Sequence, residues 1–100
     1  MYLFTIRAVP DLEKTSADSP DLSQVGGAYV NAWIDFYDQR GAEVLARFYI
    51  KDAGWIANDT IEKVIWIDEI DPEEEDFGYF EEAFRNGSSL VFNIYPKNEE

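Results

Sequence analysis

Residues 26–54 read GGAYVNAWIDFYDQRGAEVLARFYIKDAG, and the period of their apolar side chains changes once along the stretch. From Ala28 to Tyr37 the side chains alternate. Ala28, Val30, Ala32, Ile34 and Phe36 fall on one side, and Tyr29, Asn31, Trp33, Asp35 and Tyr37 on the other. A period of two is a strand. After Asp38 the period lengthens, and Ala42, Leu45, Ala46, Phe48, Tyr49 and Ala53 recur by threes and fours, as one face of a helix does. Asp38 suits the N-cap of a helix over 39–53, because a carboxylate there accepts from the first N–H groups. Gly54 suits a left-handed C-terminal cap, and Trp55 the position that folds back onto the last turn. A strand leading straight into a helix places the chain among folds that mix the two.

Upstream, Tyr2 to Val9 alternates as well, with Tyr2, Phe4, Ile6 and Ala8 against Leu3, Thr5 and Arg7, and Pro10 ends it. Residues 10–24 hold two prolines, three aspartates and three serines, a long polar loop of a length usually reserved for functional or mobile segments. Downstream, Ile61 to Ile70 reads as a strand, with Ile61, Ile65 and Ile67 opposed to Val64 and Trp66. Asp71-Pro72-Glu73-Glu74 reads as a helix start, with aspartate as cap and proline in first position. Acids in the first turns suit the positive end of the helix dipole. Phe77, Phe80 and Phe84 mark one side of that second helix, and Asn86-Gly87 stops it. Gly78 weakens its first turn by about 1 kcal/mol relative to alanine. A last strand, Ser89 to Tyr95, buries Leu90, Phe92 and Ile94, and residues 97–100 form a frayed tail.

The expected fold is α+β in the order β-β-α-β-α-β, a two-layer sandwich of one four-stranded mixed sheet with two helices on one face. Right-handed crossovers would make the last three strands mutually parallel, with the first an antiparallel partner of the second. Residues 1–100 make a single domain, since domains usually hold about 100–150 residues. The predicted core is Phe4, Ile6, Val30, Ile34, Leu45, Phe48, Ile65, Ile67, Phe80, Phe84, Phe92 and Ile94.

Composition narrows the function. The chain is 46% hydrophobic and 16% aromatic, enough to bury a core and to exclude disorder and disulfide-scaffold classes. It contains no cysteine and no histidine, so thiolate chemistry, histidine acid–base catalysis and the commonest metal ligands are excluded. Twenty-one acidic residues against eight basic ones leave a net charge of −13, which argues against direct nucleic-acid binding. No apolar run approaches the ~20 residues of a membrane span. The segment Met1–Arg7 has no basic region ahead of its apolar residues, so it does not read as a signal peptide. A cytoplasmic, bacterial protein is the expectation.

Two surfaces stand out. With the helices on the Phe4 face, the other face of the sheet would display Tyr29, Trp33, Tyr37, Val64, Trp66, Val91 and Tyr95. An antiparallel sheet usually shows polar residues to water, so such a patch marks an interface, a ligand surface, or a face covered by the 10–24 loop through Leu12, Leu22 and Val25. Asp35, with Asn31 and Asn93, is the polar spot expected within it. The second surface is Asp68-Glu69-Ile70-Asp71-Pro72-Glu73-Glu74-Glu75-Asp76, where seven of nine residues are acidic. It is either a solvated helix start or a docking surface for a basic protein. It lacks the alternating acids and the glycine of a calcium loop.

Enzyme motifs are absent. Gly26-Gly27 lacks the lysine and serine of a phosphate loop, and a Ser-His-Asp triad cannot form without histidine. The leading expectation is a small acidic, non-catalytic protein-interaction domain, of the inhibitor or immunity-protein kind, with no cofactor. The alternative is a homodimer that pairs through the aromatic sheet face and binds a small ligand there. An enzyme working with carboxylates, Arg7 and tyrosine or serine hydroxyls is the third reading.

Overall fold

The computed structural model describes residues 1–11 and 25–96. Leu12 and Leu22 of the polar loop, and the 97–100 tail, lie outside the described residues. Six elements follow in the expected order: β1 (Tyr2–Pro10), β2 (Val25–Ile34), α1 (Gln39–Asp52), β3 (Trp55–Trp66), α2 (Phe77–Asn86) and β4 (Ser88–Pro96). They form an α+β fold with one four-stranded sheet in the order β3-β1-β2-β4.

Every neighbouring pair in that sheet is antiparallel, so it is not mixed. Strands β2 and β3 do run in the same direction, as a strand–helix–strand crossover requires, but β1 lies between them. The chain then passes from one edge of the sheet to the other through α2 and returns in the opposite sense as β4. Residue periodicity carries no information on that direction.

Local chemistry explains the element ends. Asp38 caps α1 as expected, its Oδ2 accepting from the Gly41 amide at 2.8 Å. Strand β2 stops at Ile34, three residues short of the expected end, because the chain turns into the helix there. The Asp35 amide donates to the Gly87 carbonyl at 2.9 Å, and the Phe36 ring lies where a Cβ on Gly41 would go. Gly54 and Gly87 end the two helices with φ of 91° and 95°, the left-handed cap expected of Gly54 and the stop expected at Asn86-Gly87. Trp55 opens β3, which begins six residues earlier than its apolar alternation suggested, and packs against the core cluster that includes Ala42, Ala46 and Ile50 of α1.

Two register shifts in the β1–β3 pairing, on either side of Ile6, reverse the phase of β3. Ile61 lies opposite Ile6, whereas three residues later Val64 lies opposite Phe4, on the same face. An extra residue in one strand has that effect. Val64 and Trp66 therefore share the Phe4 face, and Ile65 shares the Leu3 face, the reverse of the expected assignment.

Two apolar clusters result. The larger joins Phe4, Ile6, Ala8, Ala28, Val30, Ala32 and Ile34 of the sheet to Ala42, Ala46 and Ile50 of α1. Alanines on both sides let helix and sheet approach closely. Leu45, Phe92 and Ile61 pack around this cluster, and Trp55 meets Phe92 with ring centroids 5.3 Å apart. The smaller cluster holds Met1, Trp33 and Ala83 with Leu3, Ile67, Ile70 and Phe80. Because Leu3 and Trp33 pair across β1 and β2 on the face away from Phe4, helix α2 lies against that second face, at one end of the sheet. Four expected core residues are exposed: Phe48 at 59%, Ile65 at 36%, Phe84 at 69% and Ile94 at 58%. Phe48 sits two residues from both Ala46 and Ile50, about 200° around the helix from each. Ile94 belongs to an edge strand.

Candidate functional site

The second face of the sheet is divided into rows by the strand register. Helix α2 covers the Leu3–Trp33–Ser89 part of one row, where Trp33 is only 3% exposed, and leaves Ile65 at its edge exposed. Ser89 Oγ donates to Glu82 Oε2 at 2.9 Å and ties β4 to the helix. The next row is Lys63–Thr5–Asn31–Val91, one residue from each strand. It lies just outside the helix and floors a cavity of about 350 Å³ whose walls include Asp76 and Tyr79 of the α2 start.

The floor is hydrogen-bonded in a way that leaves specific groups open. Thr5 Oγ1 donates to Asn31 Oδ1 at 2.9 Å, so the Asn31 amide N–H groups remain available as donors. Asn93 Nδ2 donates to the Tyr29 carbonyl at 3.3 Å, so Asn93 Oδ1 remains available as an acceptor.

Beyond this row the face ends in an aromatic and cationic corner. Gly27 of β2 pairs with Tyr95 of β4, and the Tyr95 hydroxyl lies 2.6 Å from where a Gly27 Cβ would stand. Arg7 Nε donates to that hydroxyl at 2.9 Å, and the guanidinium lies over the ring at 5.9 Å. The hydroxyl hydrogen bond raises the Arg7 pKa further above its ordinary value, with the neighbouring tyrosines adding to the shift. Tyr29 packs on Tyr95 with centroids 5.5 Å apart. A second cavity, of about 450 Å³, opens here between Arg7, Tyr95, Ile56 and Asn58.

The aromatic patch expected from sequence is thus split. Tyr29, Trp33, Val91 and Tyr95 share the second face, with Trp33 beneath α2. Val64 and Trp66 lie on the opposite face, where Trp66 meets Tyr2 at 4.8 Å. Tyr37 follows β2 in the connection to α1, stacked on Phe36. Asn31 and Asn93 line the groove together, without the Asp35 they were expected to accompany. Asp35 lies past the end of β2, exposed and away from them. Thr5, Lys63 and Tyr79 were not singled out from sequence. The signal that could have found Thr5 is its place as a neutral polar residue between the apolar Phe4 and Ile6.

The acidic segment takes a different form from the helix start its residues suggested. Residues 71–76 form turns, and α2 begins only at Phe77. Asp71 Oδ1 accepts from the Glu73 amide at 2.9 Å, a local turn that competes with helix. Gly78 and the run of like charges remove the support a longer helix would need. Asp68, Glu69, Asp71, Glu73, Glu74, Glu75 and Asp76 are all exposed and form no ion pair among the described residues. Asp68 accepts from the Trp66 indole at 2.6 Å. The segment leads directly into an apolar notch of about 190 Å³ along α2 between Phe77, Phe80 and Phe84.

Among the described residues no group of three or more acidic, histidine or cysteine side chains is arranged to hold a metal ion, and no helix is long and apolar enough to cross a membrane. No family model, no curated protein and no solved structure matches the chain.

Proposed function

We propose that this chain is a non-catalytic, cytoplasmic protein-interaction domain that docks on a basic partner, as acidic inhibitors and immunity-type proteins do. One observation supports the reading above the others. Seven exposed, unpaired carboxylates at 68–76 run straight into the Phe77–Phe80–Phe84 notch, where Phe84 is 69% exposed. Charge of one sign speeds encounter with a partner of the other sign, whereas an aromatic anchor seated in a pocket slows dissociation. The two halves of such a surface are here adjacent in sequence and in space.

The test is to capture binding proteins on the immobilised chain at low salt, identify them, and measure rates with each purified partner. The Glu73→Gln/Glu74→Gln/Glu75→Gln variant should slow association at least several-fold. Its effect should fade as salt rises past ~0.15 M, where screening acts over about 8 Å. Phe84→Ala should instead raise the dissociation rate. A partner that binds both variants at the parent's rates would remove the proposal, as would the absence of any partner that distinguishes them from the parent.

A further inference from the structure

The geometry points to the Thr5–Asn31 groove as a binding site for a free α-amino acid. Lys63 from β3 and Asp76 from the start of α2 line the same 350 Å³ cavity, yet they form no ion pair with each other or with any other described residue. Both side chains are exposed to the groove. Asp76 is also at the N-cap of α2 without making the side-chain cap bond that an aspartate there usually makes. Its carboxylate is therefore open to the groove rather than committed to the helix.

The floor supplies complementary neutral groups, the free Asn31 N–H donors and the free Asn93 Oδ1 acceptor. A ligand with a carboxylate for Lys63 and Asn31, and an ammonium for Asp76 and Asn93, complements the groups that line the cavity. Leu3 and Val91 beside them offer apolar surface to its side chain. The volume is at the lower end of the range of about 300–1,000 Å³ for small-molecule pockets, which suits a ligand of this size. The site shares Asp76 with the protein-docking surface proposed above, but Glu73, Glu74 and Glu75 do not line it, so the two readings are separable by substitution.

The experiment is an NMR titration of the ¹⁵N-labelled full chain with L-leucine and L-glutamine, read at the side-chain amides of Asn31 and Asn93. N-acetyl-leucine and leucinamide, each lacking one of the two charges, are the controls. Saturable shifts with a Kd on the order of 1 mM or tighter, at least tenfold weaker for both controls, are expected. Lys63→Met and Asp76→Asn should each weaken binding about tenfold, with the remaining amide spectrum unchanged. The Glu73→Gln/Glu74→Gln/Glu75→Gln variant should bind as the parent does. Equal affinity for N-acetyl-leucine would overturn the assignment by showing an anion site only, and amides that do not shift with either amino acid would overturn it outright.

Discussion

At the scale of single residues, Gly27 shows how a backbone position is dictated by a neighbour 68 positions away in sequence. A Cβ there would stand 2.6 Å from the Tyr95 hydroxyl and 2.8 Å from the Ala8 carbonyl oxygen. The tyrosine could swing aside, but the carbonyl belongs to the β1 ladder and cannot. Gly27→Ala should therefore destabilise the fold by about 1–3 kcal/mol, as forced overpacking does. A urea unfolding midpoint measures it. The same loss should persist when Gly27→Ala is made on a Tyr95→Leu background. A full rescue there would show that only the Tyr95 side chain, and not the backbone, excludes a Cβ at this position.

Among the elements, the two helix starts make a contrast that composition hides. Both are aspartates at an N-cap, but only the Asp38 side chain accepts a hydrogen bond from its helix. Asp38→Ala should lose about 1 kcal/mol, the usual worth of such a cap. Asp76→Ala should change stability by no more than a few tenths, the range for surface substitutions away from such features. Paired thermal melts of the two variants check this, and equal losses would contradict the cap geometry. The phase of β3 belongs at this scale too. Its alternation of isoleucines against Val64 and Trp66 was legible as a strand. The extra residue that turns Val64 toward Phe4 is set by pairing with β1, so the inward face was not legible.

Charge governs the behaviour of the molecule as a whole. The radius of gyration is 14.1 Å, shorter than the Debye length of about 30 Å at 0.01 M salt and longer than the 8 Å at 0.15 M. At low salt every carboxylate thus feels the others, and a net charge of −13 destabilises the compact state by self-repulsion. Sodium chloride raised from 0.01 to 0.15 M should lift the Tm by a few degrees, since about 1 kcal/mol moves a domain of this size by 4–8 °C. A flat Tm across that range would show that the acids repel one another too weakly to matter.

Sequence alone determined the element order, the α+β class, the Asp38 cap and the glycine stops, because each rests on chemistry between residues a few positions apart. It also determined the charge, the absence of histidine and cysteine, and the pairing of an acidic run with three phenylalanines. Tertiary structure decided the rest. Helix α2 lies on the Trp33 face because Ala83 and Phe80 meet Leu3 and Trp33 there, contacts between residues about 50 or more positions apart that leave no mark on local periodicity. The groove exists for the same reason: Lys63, Thr5, Asn31 and Val91 align only once four strands pair in the order β3-β1-β2-β4. Register across a sheet is fixed by hydrogen bonds between strands, and a shift of one residue would send each of these side chains to the opposite face.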